Sequence, residues 1–172
     1  MPASLLKPHM TPGYFRYTLI FLTRGSEVLM LHRRNPPNQG LWNGVGGRLE
    51  AGETPLEGAL REVREETGYN LPGARFAGVL TWEGHTENPG GLYIYTAAVP
   101  LETPAQLPLD DEGQLTWQPR AWVLSAPEVV KNIHHFGPFV LDGAPPRDYH
   151  FVYAPDDRIL HWEIRPLPKG IG

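Results

Sequence analysis

The amino-acid sequence predicts one α+β domain. Two observations favour this class: hairpin patterns rich in aromatic and β-branched residues stand near both ends of the chain, and a helix with clear start and stop signals lies between them. The 172 residues can build one sizeable hydrophobic core but not two comfortable ones. We therefore expect a single domain over residues 14–168, preceded by a loose arm over residues 1–13, which show no periodicity.

Strands are predicted where strand-forming residues stand between turn signals. The first hairpin comprises residues 14–23 and 27–34, and the closing hairpin comprises residues 149–153 and 158–164. Further strands are expected at 41–47, where glycines break the strand, and at 74–82, 91–99 and 115–117. The segment 91–99 is apolar on both faces, so we expect it to lie at the centre of the sheet.

The best-defined helix is predicted between Thr54 and Gly68. Thr54 suits the N-cap, Pro55 the first helical position and Glu57 the capping box, whereas Gly68 is a typical C-terminal stop. Side chains at helical spacing predict a buried stripe of Leu56, Ala59, Leu60, Val63 and Thr67. The capping-box spacing recurs at Ser125 and Glu128 and predicts a second, short helix from Ser125 to about Asn132.

Composition excludes several classes of protein. The formal net charge is −4 and no basic block occurs, so a nucleic-acid polymer is not expected as a partner. There is no cysteine, which excludes disulfides, thiolate zinc sites and a cysteine nucleophile. The longest clean apolar run near the N-terminus, residues 19–22, is far too short to span a membrane, and no signal peptide is evident. We expect a soluble, cytoplasmic protein.

Three carboxylates share one face of the predicted helix: Glu62, Glu65 and Glu66. Such a cluster repels itself, and oxygen ligands of this kind suit Mg²⁺ or Mn²⁺. A cation would also let an acidic protein bind a polyphosphate. The alternative is a solvated acidic face that Arg61 and Arg64 neutralise, which is the commoner arrangement on an arbitrary helix.

The complete spacing favours the metal site. The pattern begins with Gly47, five intervening residues and Glu53. After seven more residues come Arg61-Glu62-Val63, one residue, Glu65-Glu66, one residue and Gly68. This spacing reproduces the Nudix box, except that Tyr69 replaces the usual aliphatic residue. The chain thus resembles the Nudix hydrolases over most of its length. The resemblance implies an α/β/α sandwich with a mixed sheet between helices, and Mg²⁺-dependent hydrolysis of a nucleoside diphosphate linked to another moiety.

The resemblance also implies roles for individual residues. The expected metal ligands are the Gly46 carbonyl and the side chains of Glu62, Glu65 and Glu66. Glu53 and Arg61 would brace the loop against the helix through an ion pair. Glu112 is placed like the additional base or metal ligand that a loop outside the box often supplies; equally, it is an exposed carboxylate in a turn.

Residues 41–47 resemble the MutT-like branch, which hydrolyses oxidised purine nucleoside triphosphates. Asn43 would then hydrogen-bond the base, unless it only caps a turn beside Gly44. Gly47, at the end of this segment, and the next residue, Arg48, are expected to contact the substrate.

The segment before Gly137 matches this branch less well. Asn132 could bind a purine edge, and Phe136 or His135 could stack on the base. Alternatively, Val130, Ile133 and Phe136 sit at helical spacing and form plain core. The adjacent His134 and His135 point apart on a helix, which favours surface histidines over a metal site.

These patterns lead to one main hypothesis and two alternatives. The main hypothesis is a Mg²⁺-dependent nucleoside triphosphate pyrophosphohydrolase that releases nucleoside monophosphate and pyrophosphate, with 8-oxo-dGTP among its candidate substrates. The alternatives are hydrolysis of dinucleoside polyphosphates or nucleotide sugars, and a non-catalytic nucleotide sensor. In each case the partner is a small nucleotide, and the protein is expected to be a monomer or homodimer.

Overall fold

The computed structural model describes residues 15–84, 90–104, 107 and 112–171. The predicted arm at residues 1–13 lies outside these residues. The same holds for parts of the loops expected at residues 83–90 and 100–111.

Nine strands and three helices make up the described part of the chain. The strands are β1 (Tyr17–Arg24), β2 (Glu27–Arg33), β3 (Trp42–Asn43), β4 (Val45–Arg48), β5 (Arg75–Glu83), β6 (Gly90–Ala98), β7 (Gly113–Pro119), β8 (Arg147–Tyr153) and β9 (Ile159–Arg165). The helices are α1 (Pro55–Thr67), α2 (Arg120–Val123) and α3 (Lys131–Leu141). Both predicted hairpins are present, as β1–β2 and β8–β9.

All nine strands belong to one mixed sheet. Its main path runs β3-β2-β1-β6-β5-β8-β9, with β4 paired to β1 and β7 paired to β2. The β1–β6 and β5–β8 pairs are parallel, and the other pairs are antiparallel. β6 lies between β1 and β5, which confirms the predicted central strand.

The sheet has a hydrophobic core on each face. Alternate residues of β1 point to opposite sides, so Ile20 packs in the core that contains Val63 of α1. Its neighbour Phe21 packs in the second core, which contains Ile133 of α3. This layering confirms the predicted α+β sandwich. Within the described residues, no helix is both long and apolar enough to cross a membrane.

Local capping signals determine the ends of α1. The Thr54 hydroxyl oxygen accepts a hydrogen bond from the Glu57 N–H at 3.1 Å. At the other end, Gly68 adopts a left-handed conformation with φ of 81°, and its N–H bonds the Arg64 carbonyl. Both predicted caps are therefore confirmed.

The predicted buried stripe of α1 is wrong at its first member, Leu56, and Leu60 is only half-buried. Leu56 is 36% exposed, whereas the buried positions are Gly58, Ala59, Val63, Glu66 and Thr67. The first turn of the helix lies against the preceding loop, since a Cβ atom at Gly58 would collide with the side chain of Leu49. Leu56 therefore starts the helix outside the region that packs on the sheet.

The short helix predicted from Ser125 is also wrong. The Ser125 hydroxyl donates to the Ala121 carbonyl and caps no helix. The backbone that follows pairs with β3: the Trp42 N–H donates to the Glu128 carbonyl at 2.9 Å, and the Val130 N–H donates to the Trp42 carbonyl at 3.0 Å. Because these groups bond to β3, α3 begins only at Lys131.

The left-handed cap of α1 gives a stability prediction. Gly68→Ala should lower the free energy of unfolding by about 1 kcal/mol, because alanine is strained at positive φ. A Cβ atom at Gly68 would meet no atom within 4 Å, so the effect is purely conformational. Gly73→Ala is the matched control, since Gly73 has equal space and no positive φ. Urea denaturation of both variants checks this; equal stabilities would contradict it.

Candidate active site

Strand β4, which contains the two glycines, and helix α1, which carries the carboxylates, meet at Gly47. Gly47 belongs to β4, and a Cβ atom at this position would lie 2.5 Å from Glu62 Oε1 and 2.9 Å from Oε2. The Glu62 carboxylate therefore occupies the space that any side chain at residue 47 would need. This contact places α1 directly against the strand that carries the two glycines.

Arg61 connects helix α1 with strand β4 and with the loop between them, which contains Glu53. Its Nε and Nη2 both donate to the Glu53 carboxylate, and Nη2 also donates to the Arg48 carbonyl at 3.0 Å. On the other side, Nη1 donates to Glu62 Oε1 at 3.0 Å and to Glu65 Oε2 at 3.1 Å. Only 12% of the Arg61 side chain is exposed, so these bonds are largely shielded from water.

The Arg61 guanidinium also dominates the local electrostatics. Its hydrogen bonds lower the pKa of the Glu53 carboxyl, and the carboxylates in turn raise the pKa of Arg61. The Glu53 carboxylate additionally accepts the Glu50 N–H at 2.8 Å. The ion pair between Glu53 and Arg61 therefore holds the loop in contact with the helix.

The carboxylates of the helix differ in environment. Burial raises the pKa of Glu62, Arg61 opposes this rise, and the charges of Glu65 and Glu112 add to it. Glu112 is therefore close enough to Glu62 to be felt electrostatically. Glu66 is buried with 7% exposure, whereas the Glu65 side chain is 54% exposed.

The donor set suits a hard cation. All the candidate ligands are oxygens, and the Nη1 group already shows that a positive charge can lie between Glu62 and Glu65. In the described part of the chain, no three His, Asp or Glu side chains are yet arranged around a common point. A cation would therefore have to draw these carboxylates together.

Asn43 follows Trp42 in β3, and its Oδ1 accepts the Gly44 N–H at 2.8 Å. This bond runs to the adjacent residue, whereas a turn-capping asparagine bonds the backbone two residues on. It leaves the side-chain nitrogen for other contacts. Arg48 is exposed at the end of β4, and its carbonyl contacts Arg61.

Asn132 lies near the start of α3, on the other face of the sheet. Its Nδ2 donates to the Tyr153 hydroxyl at 3.1 Å, and the residue is partly exposed. Burial raises the pKa of Tyr153, and the bond from Asn132 opposes this rise. The pairing of residues 128–130 with Trp42 brings the start of α3 beside β3, so Asn132 and Asn43 lie in adjoining segments.

The expectation that Phe136 stacks on a base is wrong. Phe136 has 0% exposure, and its ring lies 5.9 Å from that of Tyr149 and 6.1 Å from that of Phe21. The core alternative holds instead, since Val130 and Ile133 are buried in the same cluster. Helical spacing of apolar residues here indicates packing only.

The two histidines of α3 are less exposed than expected. The His134 Nε2 lies 2.8 Å from the Ala126 carbonyl oxygen. The His135 ring packs 5.1 Å from the Trp162 ring, and burial lowers its pKa. The sequence pattern does not indicate two neighbours of these side chains as site residues: Tyr153, which contacts Asn132, and Trp162, which contacts His135. Only the position of β8–β9 against α3 reveals them.

A glycine-containing strand pressed against a carboxylate-bearing helix has the oxygen ligands and the open backbone that a site for a cation and a phosphate group requires. The NUDIX domain family matches residues 13–157 of the chain. The chain therefore belongs to the Nudix family, whose hydrolases act on phosphoric anhydride bonds and generally use divalent metal ions.

Similar proteins support this assignment. The uncharacterized Nudix hydrolase YvcI of Bacillus subtilis is 26% identical over 88% of this chain and 94% of its own length. The mutator MutT protein of Bacillus halodurans has a similar structure, with a TM-score of 0.71, 26% identity, and coverage of 89% of this chain and 99% of that one. The oxidized purine nucleoside triphosphate hydrolase of Mus musculus is 34% identical over 39% of this chain and 43% of its own.

The contacts of Arg61 give a second prediction. Arg61→Lys should lower the free energy of unfolding by about 2 kcal/mol, because a single ammonium cannot bond Glu53, the Arg48 carbonyl and the helix carboxylates together. Arg64→Lys is the control on the same helix, since Arg64 is exposed and should change stability little. Chemical denaturation measures both; an Arg61 variant as stable as the Arg64 variant would exclude a bracing role.

Proposed function

We propose that this protein is a Mg²⁺-dependent nucleoside triphosphate pyrophosphohydrolase, which releases nucleoside monophosphate and pyrophosphate. The observation that supports it most is the Glu62 carboxylate seated over Gly47, with Glu65 and Glu66 on the same helix and the charge of Glu112 nearby. Four carboxylates near the two glycines of β4 form a receptor for cations and phosphates together.

The proposed metal ligands are Glu62, Glu65, Glu66 and the Gly46 carbonyl. When bound there, Mg²⁺ would polarise a phosphoryl oxygen and acidify a water molecule. Mn²⁺ has the same preference for oxygen ligands and would substitute for it.

The chain's own residues have two proposed tasks. Arg61 and Glu53 hold the glycine strand in place against α1, so that the carboxylates keep their position when charge builds up on the substrate. Glu112 accepts a proton from the attacking water. The new P–O bond forms at the phosphorus that the water attacks. At the same time the bond from that phosphorus to the oxygen bridging the α- and β-phosphates breaks, and the departing group keeps the electron pair of that bond.

The proposed substrate class is oxidised purine nucleoside triphosphates such as 8-oxo-dGTP. One support is the partial similarity to the mouse protein, whose name states this substrate class. A second support is the pair Asn43 and Asn132, whose carboxamides offer both donors and acceptors for a purine edge. Gly47 and Arg48 are proposed to lie along the phosphates, next to the carboxylates.

A nucleotide panel with product analysis tests the reaction. With Mg²⁺, we expect pyrophosphate and a nucleoside monophosphate from triphosphates, with 8-oxo-dGTP preferred over dGTP, and no turnover after chelation by EDTA. Orthophosphate as the first product would exclude the proposed cleavage. Turnover confined to dinucleoside polyphosphates or nucleotide sugars would assign the site to those substrates instead.

The carboxylates can be tested individually. Glu66→Gln should lower kcat by about a hundredfold or more, because a neutral amide is a much weaker ligand for a cation than a carboxylate. Its fold should survive, as measured by circular dichroism, since the amide is nearly isosteric. Glu57→Gln is the matched control: Glu57 lies on the same helix in an exposed position, and its replacement should leave kcat unchanged. Turnover of the Glu66 variant at the wild-type rate would remove this residue from the site.

Base recognition gives a separate prediction. Asn132→Ala should raise KM for purine triphosphates or alter the preference between 8-oxo-dGTP and dGTP, with a smaller effect on kcat, since the residue lies far from the carboxylates in sequence and packing. Asn43→Ala should act in the same way if Asn43 contacts the base. If Asn43 serves only its bond to Gly44, its variant will lose stability while base preference stays the same.

A further inference from the structure

Thr18 is a buried polar residue that the proposed chemistry does not use. It lies in β1, is 4% exposed, and its hydroxyl oxygen is inaccessible to solvent. Among the residues that the structure describes, this oxygen has no hydrogen-bond partner. Buried hydroxyls almost always have a partner, because leaving one without it costs free energy. A water molecule or a ligand is therefore expected at the Thr18 hydroxyl.

Thr18 stands directly beside the carboxylate site. In the antiparallel pair β1–β4, Thr18 is the register partner of Gly47. Directly opposite residues of such a pair project to the same face of the sheet. The missing Cβ atom of Gly47 points at the Glu62 carboxylate, so the Thr18 side chain lies on the face that carries this carboxylate.

The packing of neighbouring residues agrees with this orientation. Ile20, two positions further along β1, belongs to the core that contains Ala59 and Val63 of α1. Residues two apart in a strand share a face, so Thr18 also faces α1. It is the polar residue at the end of this face nearest the glycines, whereas Arg24, the other polar residue on the face, lies at the opposite end of β1.

We propose that the Thr18 hydroxyl holds a buried water that bridges to the carboxylate of Glu62 and so positions this carboxylate for cation binding. The Glu62 carboxylate occupies the space of the missing Gly47 side chain, and the Cβ positions of directly opposite residues lie about 4.5–5.5 Å apart. Two hydrogen bonds of about 2.8 Å through one water span a similar distance. Arg61 bonds Glu62 Oε1, which leaves Oε2 as the oxygen for the bridge.

This inference rests on the proposed function, since it concerns the same cation site. Thr18 acts through Glu62 and is thus a positioning residue. Groups that orient a metal ligand from outside the coordination sphere typically change metal affinity by about 10–100-fold when they are removed. The expected consequence is a measurable loss of cation affinity without a direct contact to the cation.

Thr18→Val tests the bridge without relying on activity. Valine has a similar shape but lacks the hydroxyl. We expect nucleotide-free T18V to bind Mn²⁺ about tenfold or more weakly than the wild type, as measured by electron paramagnetic resonance of unbound Mn²⁺. Thr18→Ser keeps the hydroxyl and should retain most of the wild-type affinity.

Thr81→Val is the matched control in the same sheet. The Thr81 hydroxyl donates to Asp148 Oδ1 and lies 2.8 Å from His150 Nδ1, so it already has partners within the protein. T81V should lower the melting temperature of the metal-free protein and leave Mn²⁺ affinity unchanged. T18V should show the reverse: a melting temperature close to that of the wild type and weaker Mn²⁺ binding.

The outcomes separate this inference from the proposed function. If the wild type binds Mn²⁺ and cleaves triphosphates while T18V binds Mn²⁺ equally well, the bridge is wrong and the function stands. A T18V protein that loses stability like T81V and keeps its affinity would likewise make Thr18 a structural residue. A wild type that neither binds a divalent cation nor cleaves a nucleotide overturns both proposals. A high-resolution crystal structure should show the water between Thr18 Oγ1 and Glu62 Oε2, and its absence would exclude the bridge.

Discussion

The bonds of the Arg61 guanidinium are the interaction on which the rest of the site depends. One edge of this planar group bonds Glu53 and the Arg48 carbonyl, and Nη1 on the other side bonds Glu62 and Glu65. Charges interact more strongly where water is excluded, so several carboxylates gathered here would repel one another without a cation among them. Arginine suits the position because its planar fork can bond several oxygens in different directions at once.

The fold places the carboxylates proposed for catalysis and the asparagine proposed for base recognition on opposite faces of one sheet. The carboxylates of α1 lie on the face that contains Ile20 and Val63, whereas Asn132 and its partner Tyr153 lie with α3 on the other face. β3 and β4 are consecutive strands of this sheet, and Gly46 and Gly47 of β4 carry no side chains. The segment proposed for base recognition therefore adjoins the strand proposed for phosphate binding.

What could be predicted from the sequence follows from how local each feature is. The caps of α1 depend on residues within one turn, so Thr54 and Gly68 were sufficient to locate its ends. The helix expected at Ser125 failed because Glu128 and Val130 bond to Trp42, a partner more than eighty positions earlier in the chain. Phe136 shows a related limit: helical spacing indicates a buried side, but not whether that side meets a ligand or the core.

The candidate site shows the same division. The spacing of the box was enough to put Glu62, Glu65 and Glu66 on one face of a helix. It could not indicate that Glu66 is buried while Glu65 is largely exposed, nor that the charge of Glu112 reaches Glu62, since both depend on how the sheet and a distant loop meet the helix. Tyr153 likewise joins this region only through the packing of the closing hairpin on α3.

The position of Arg61 also determines what cation binding would require. Its Nη1 lies between Glu62 and Glu65, the same carboxylates that are proposed to bind Mg²⁺. Its Nε and Nη2 are bonded elsewhere, to Glu53 and to the Arg48 carbonyl. A cation could therefore take over the bonds of Nη1 while the remaining bonds keep the loop attached to the helix. Arg61 binds the loop through Nε and Nη2, whereas only Nη1 bonds the carboxylates of the proposed cation site. The loop can therefore stay in place whether or not a cation is bound.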